Sequence, residues 1–294
     1  MNLRILKRFL QIFYISTVSF ILVINYTDVS NPWGDWYYDP GPWCEKERTE
    51  YWIREPSNCI ADFLFYAFCL YLIYKGFEDR ENNKYQSIGQ INKNSNIIIQ
   101  NPGLTFIAVI LQFTHFFGTF WNHACRCHPG HRLDVVGMYS ITSYPGIIWI
   151  ISYFYSEKLD ERGKINKKQW LQIISAWSLL ICFYIWVSDY WYVNPMWEVV
   201  EISIMVIISV VTLIIDNKVS NSLQYQLEKK QLGVGVLLLV IGVIAHNLDM
   251  KKIFCYPESP VQGHSIWHSV TAVAVYVVYQ YQRQPMIKQS AKIY

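Results

Sequence analysis

Thr119 and His123 stand four residues apart, Asp134 follows eleven residues later, and His264 and His268 repeat the four-residue spacing near the far end of the chain. On a helix, a spacing of four places each pair on one face. Three imidazoles from two helices, with a carboxylate nearby and one coordination position open, match the ligand set of a catalytic zinc centre. Such an ion lowers the pKa of a bound water toward ~7 and polarises a carbonyl. Asp134 could take a proton from that water and pass it to a leaving amine, and the Thr119 hydroxyl could hydrogen-bond a developing oxyanion. That chemistry is amide or ester hydrolysis. Histidines in apolar helices also serve as packing residues with satisfied N–H groups, so the elements that carry these five side chains decide between the two readings.

Those elements are membrane helices. The 294-residue chain is 52% hydrophobic and 16% charged, against roughly 25% charged in a soluble domain. Its apolar runs predict helices over about 7–26, 58–76, 103–123, 134–154, 169–188, 197–216, 230–247 and 263–281, several reaching the ~20 residues needed to cross a bilayer. The fold class expected is all-α, a polytopic seven-helix bundle with an additional N-terminal helix. That first helix, with Arg4, Lys7 and Arg8 ahead of its apolar run, reads as a signal anchor or a signal peptide. The organisation is then 1–26 anchor or signal, 27–57 entry segment, 58–281 membrane domain and 282–294 tail. A net charge of +3 and the lack of a basic, aromatic-interleaved stripe argue against nucleic acid as a partner.

Sorting lysine and arginine by side puts 18 of the 25 with the N-terminus, so the positive-inside rule makes that side cytoplasmic. Segment 27–57 and the loops 124–133, 189–196 and 248–262 then face the lumen or exterior. Thr119, His123, Asp134, His264 and His268 all fall at the lumenal ends of their helices, although none was used to set the topology. Ionisable groups inside spans are costly and are functional candidates by default.

Around these positions the chain resembles the alkaline ceramidase family, within a superfamily of seven-helix intramembrane hydrolases that also holds Per1-like GPI-remodelling proteins and the progestin and adipoQ receptors. That family carries a serine four residues before a histidine, an aspartate eleven after it, and His-x-x-x-His in the last helix. Thr119 stands for the serine, adding a methyl that crowds the oxyanion position. The resemblance implies zinc held by His123, His264 and His268, with Asp134 and Thr119 catalytic. Trp43, Cys44 and Glu45, then Glu55, Pro56 and Asn58, then Asn247, Leu248, Asp249 and Cys255 match further stretches of the ceramidase branch, so the likeness spreads over about 43–281. It implies a Cys44–Cys255 disulfide. It also points to a calcium site at Glu45 and Glu47, but Pro42 replaces an aspartate and Glu47 an asparagine of the family's ligand run, which leaves the calcium set incomplete.

The loop HACRCHPGH offers Cys125, Cys127, His128 and His131 as further soft and borderline metal donors. Cys-x-Cys lacks the Cys-x-x-Cys spacing of structural zinc sites, which favours a Cys125 disulfide or plain loop cysteines. Asp62, Asp189, Glu198 and Glu201 read as solvated charges at helix ends. Trp33, Trp36, Tyr37, Tyr38, Trp191 and Trp197 read as an interfacial belt. The expected function is zinc-dependent hydrolysis of the amide of a ceramide-like lipid to a sphingoid base and a fatty acid, in an integral protein of the ER or Golgi with a cytoplasmic N-terminus. The alternatives are a GPI-lipid remodelling esterase, for which the 27–57 segment is short and cysteine-poor, and a lipid receptor without turnover. Oligomeric state is not encoded in these patterns.

Overall fold

A computed structural model describes residues 2–288 except 28–29, 35–40, 42, 86–95, 156–163, 193–196, 223–224, 227, 254 and 285–286. Trp36, Tyr37, Tyr38 and Pro42 lie outside the described residues, as do the side chains of Asp189, Trp191, Trp197 and Glu198. The described chain is all-α: α1 (Leu3–Tyr26), α2 (Pro56–Ala61), α3 (Phe63–Tyr85), α4 (Ile97–Gln100), α5 (Pro102–Cys125), α6 (His128–Tyr155), α7 (Lys167–Tyr192), α8 (Trp197–Ser222), α9 (Lys230–Met250) and α10 (Gly263–Gln282). Two-residue strands, β1 (Tyr225–Gln226) and β2 (Ile287–Lys288), pair antiparallel beside the bundle.

Among the described residues, seven helical stretches are long and apolar enough to cross a membrane: α1, α2 with α3, α5, α6, α7, α8 and α9. The 20-residue α10 is not among them. His264, Ser265, His268, Ser269 and Thr271 make its first half polar, and it is kept in the bundle by packing on α9, α2, α3 and α6.

The bundle is apolar outside and polar within. Phe9, Leu179, Phe183, Ile207 and Leu237 are exposed on outward faces, whereas Asp62, Gln112, Thr119 and His123 are each 0% exposed. Helices solvated by lipid gain little from hydrophobic association with one another, so close backbone approach and internal hydrogen bonds hold them. The α5–α6 pair shows the first device. A Cβ on Gly118 would lie 2.5 Å from the Asp134 backbone nitrogen, one on Gly130 would lie 2.8 Å from that of Asn122, and Gly137 meets the backbone of His115. At the opposite end of the bundle, Arg283, just past the end of α10, donates through two nitrogens to the Asp79 carboxylate of α3, at 2.6 and 2.8 Å.

Two stretches expected as loops are helical. Helix α3 runs on through Tyr85 because Asp79 is tied to Arg283 and the Asn83 amide donates to the Ile99 carbonyl at 2.8 Å. Helix α6 begins at His128, six residues before its expected start. Arg126 takes a left-handed conformation, φ 50°, between Cys125 and Cys127, which form a disulfide. The chain therefore reverses within two residues and the next helix starts at once.

Candidate metal centre

His123 sits in the last turn of α5, where the entry segment is stitched to the helix end. The Arg54 and Glu55 backbone N–H groups donate to the Ala124 and His123 carbonyls, both at 3.1 Å, taking up acceptors that a helix C-terminus leaves open. That stitch brings the Glu55 carboxylate to Nδ1 of His123 at 2.5 Å. Asn58 also donates to Glu55, at 3.2 Å. Burial raises the Glu55 carboxyl above its ordinary value, and Arg126, with Nε 3.5 Å from Oε1, pulls it back down.

His264 and His268 lie in the first two turns of α10. Gln262 caps that helix: its side chain and the Ser265 N–H, and its own N–H and the Ser265 hydroxyl, satisfy one another as a capping box. Gly263 is required here, since a Cβ would come within 2.8 Å of the Ala245 carbonyl oxygen. The Asp62 carboxylate, between α2 and α3, lies 2.7 Å from Nδ1 of His268.

The ligand nitrogens of His123, His264 and His268 lie within 4.8 Å of one another, all buried. Nε2 of His264 is 3.2 Å from Nε2 of His123 and 2.8 Å from Nε2 of His268. With Glu55 and Asp62 holding the protons of His123 and His268 on Nδ1, both Nε2 atoms present lone pairs inward. His264 can donate one proton, to one of them. The other lone pair faces no donor, which is the electrostatic condition a bound cation satisfies. This buried cluster can hold a metal ion, and carboxylates behind two of its imidazoles are the usual outer shell of such a site.

The third imidazole is held by stacking. Trp43 lies against the His264 ring, with centroids 3.8 Å apart and planes at 27°. Trp43 is positioned in turn by the adjoining turn of chain: Cys44 N–H donates to Asp249 at 2.8 Å, Cys44 and Cys255 form a disulfide with Cα atoms 5.4 Å apart, and Lys252 donates to the Trp43 carbonyl. Glu45 accepts from the Ser57 and Asn58 N–H groups at 2.6 and 3.1 Å, capping α2 from a distance. Burial and the nearby Glu55 push its carboxyl up to about 8. Glu47 accepts from the Gly41 N–H at 3.1 Å. Both oxygens of Glu45 are thus engaged by backbone donors and an ammonium already occupies the adjacent Trp43 carbonyl, an arrangement that does not fit a calcium ion.

A cavity of about 50 Å³ adjoins the cluster, lined by His264, His268, Asp134, Asn122, His131 and Glu201 among others. Asp134 accepts from Asn122 at 3.1 Å and lies 3.8 Å from Nε2 of His115. It occupies the second turn of α6 rather than its start. Thr119 sits behind the cluster, 3.3 Å from both Asp62 and Nδ1 of His268.

Asp62 and Glu201 are not solvated helix-end charges. Asp62 is fully buried against His268, and Glu201 is buried against His131, Nε2 to Oε1 3.1 Å. The polar lining of the bundle interior reverses what their places near helix ends suggest. Glu55 was legible only through its place in the Arg-Glu-Pro-Ser-Asn stretch; its contact with His123 had no spacing signal, because the two are 68 residues apart. Among the described tryptophans of the entry segment, Trp33 stacks on Trp52 and donates to its carbonyl at 2.8 Å, while Trp43 stacks on His264. Cys125 and Cys127 are joined to each other and offer no thiolate for a second metal site. Comparison with protein-family models, with curated proteins and with solved structures finds no match to this chain.

Proposed function

We propose that the protein is an intramembrane zinc-dependent hydrolase that cleaves the amide of ceramide-like lipids, releasing a sphingoid base and a fatty acid. The observation that carries this reading is the junction of a buried three-histidine cluster with a lipid-shaped space. One helical turn from the cavity beside the histidines, on four helices together, Met138 gives way to Ile141 and Thr142 in α6, Glu201 to Met205 in α8, His246 to Val243 in α9 and Thr271 to Ala274 in α10. The second set lines an apolar space of about 340 Å³. A ligand with a polar head and an alkyl chain matches that sequence of surfaces.

When bound, zinc supplies Lewis acidity toward a water and the scissile carbonyl. His123 and His268 are oriented for the ion by Glu55 and Asp62, and His264 by the Trp43 ring. Asp134 faces the same cavity, steadied by Asn122, and is the group placed to take a proton from water and hand it to the departing nitrogen. Thr119 contacts Asp62 and His268, which supports a role in orienting His268. The apolar walls exclude bulk water from around the reacting bond.

The test is zinc content and fatty-acid release from a short-chain ceramide, for the wild type and for His264→Ala with His268→Ala. One zinc per chain with turnover, both lost in the double variant, is expected. Zinc without ceramide turnover would redirect the reading to another lipid bond or to a receptor. A folded wild-type chain without zinc would overturn it.

A further inference from the structure

Helix α1 stands apart from the histidine cluster and packs on α3, with Tyr14 stacked on Tyr66 at a centroid distance of 5.8 Å. Beside that contact the two helices flank a groove of about 650 Å³. Its walls include Leu10 and Ile15 of α1 and Ala67 and Leu70 of α3, and Lys7 and Arg8 stand at the end where α1 begins. A helix rises about 12 Å over the eight residues from Lys7 to Ile15, so the groove passes from a cationic end to an apolar one within the thickness of a single leaflet.

The two cations are not used inside the protein. Several others at this end of the bundle meet carboxylates of the chain: Lys75 pairs with Glu78, Lys84 with Glu81 at 3.0 Å, and Arg283 with Asp79 at 2.6 Å. The tyrosine hydroxyls of the α3 wall are engaged as well, since Gln280 donates to Tyr71 at 2.7 Å and Tyr74 donates to Glu78 at 3.1 Å. Lys7 and Arg8 are exposed and, among the described residues, meet no carboxylate. A small free anion would leave the apolar walls uncovered, and an acyl chain alone would leave the cations unmatched. A phosphodiester carried on an acyl chain satisfies both, with the stems of the two basic side chains lying along the apolar surface. The topology expected from lysine and arginine puts this end in the cytoplasmic leaflet, where anionic lipids attract basic side chains.

We propose that the α1–α3 groove is a binding site for one anionic phospholipid, with Lys7 and Arg8 taking the headgroup phosphate and the apolar walls an acyl chain. The lipid ties α1 to the bundle. The site lies at the opposite end from the histidines and is independent of the reaction they serve.

The experiment places the full chain in nanodiscs of phosphatidylcholine and phosphatidylglycerol in equal parts and counts the lipids retained on the released protein by native mass spectrometry. A phosphatidylglycerol with a diazirine in its acyl chain then maps the site by photolabelling. The wild type is expected to retain one phosphatidylglycerol, preferred over phosphatidylcholine on the order of 25-fold, from about fivefold for each of two basic side chains, and to be labelled within 10–15 and 67–74. Lys7→Gln and Arg8→Gln, made separately, are each expected to cut that preference about fivefold. Arg4→Gln, on the same helix but outside the groove lining, is expected to change it less than about twofold, and Ala67→Phe, which fills the groove, to abolish retention and labelling with zinc content unchanged. Equal retention of the two lipids by the wild type would overturn the proposal, as would a mature chain whose mass lacks α1. A loss from Arg4→Gln equal to that from Lys7→Gln would reduce the effect to diffuse surface attraction, and a dimer crosslinked through α1 and α3 would give the groove to a second copy; either result overturns the lipid site.

Discussion

Two aspartates near the cluster do different work, and one substitution in each separates them. Asp62 touches Nδ1 of His268 from behind, at 2.7 Å, so Asp62→Asn is expected to weaken zinc binding about 10- to 100-fold, as loss of an outer-shell partner does. Asp134 faces the cavity, where it accepts from Asn122 and lies near His115. Asp134→Asn is therefore expected to keep its zinc and lower turnover by roughly 10²- to 10⁴-fold; zinc content and fatty-acid release measured on the same samples check both. Glu45 carries a pH prediction. Burial and Glu55 outweigh the Ser57 and Asn58 N–H groups, and with Asp249 adding to them its carboxyl rises from the usual 4.5 to about 8. The folded chain then holds a proton that the unfolded chain releases, so the stability tied to that proton is complete below pH 4.5 and is lost as pH climbs to about 8. The thermal midpoint of the detergent-solubilised protein is expected to fall across that window, and Glu45→Gln to flatten the fall.

At the scale of elements, the α5–α6 crossing decides where Asp134 lies. Backbones touch there because Gly118, Gly130 and Gly137 carry no side chain, and Gly118→Ala would drive a methyl into the Asp134 backbone. The helices must part, at a cost of about 1–3 kcal/mol, and carry Asp134 away from the histidines; turnover should drop more than zinc content does. Much of this was legible beforehand. The four-residue spacings at 119–123 and 264–268 put these side chains on helix faces at the ends of the expected spans, and the structure brings His123, His264 and His268 together. Most span boundaries held to a few residues, the ends of α3 and α8 and the start of α6 excepted, because apolar runs of that length have few other uses. What the sequence concealed depends on three-dimensional contact: Asp62 and Glu201 look like solvated charges until the bundle interior proves polar, and Arg126 gives no sign that the chain turns on it between paired cysteines. The start of α6 was misplaced for that reason, since a polar stretch with two cysteines and a proline resembles a loop in every local respect.

Across the whole molecule, the ends of the bundle are closed by different means: the histidine end by the Cys44–Cys255 disulfide and the entry segment, the other by Asp79 and Arg283. Asp79→Asn leaves a buried guanidinium without its counter-charge and is expected to cost about 3–5 kcal/mol, whereas Asp79→Leu with Arg283→Met should recover most of that loss. Thermal unfolding of the three chains tests the contrast. The clamp at the histidine end has a consequence in time. It joins residues 211 apart, and the cluster unites His123 with side chains 141 residues later, so neither exists while the chain is still being made. At the usual 5–20 residues per second, roughly 7 to 28 s separate synthesis of the first ligand from that of the second. Throughout that interval a nascent chain halted before α10 carries only one of the three cluster imidazoles, His123, beside Glu55. An ion held by all three histidines would therefore load only after α10 is made, so that loading would report completed synthesis.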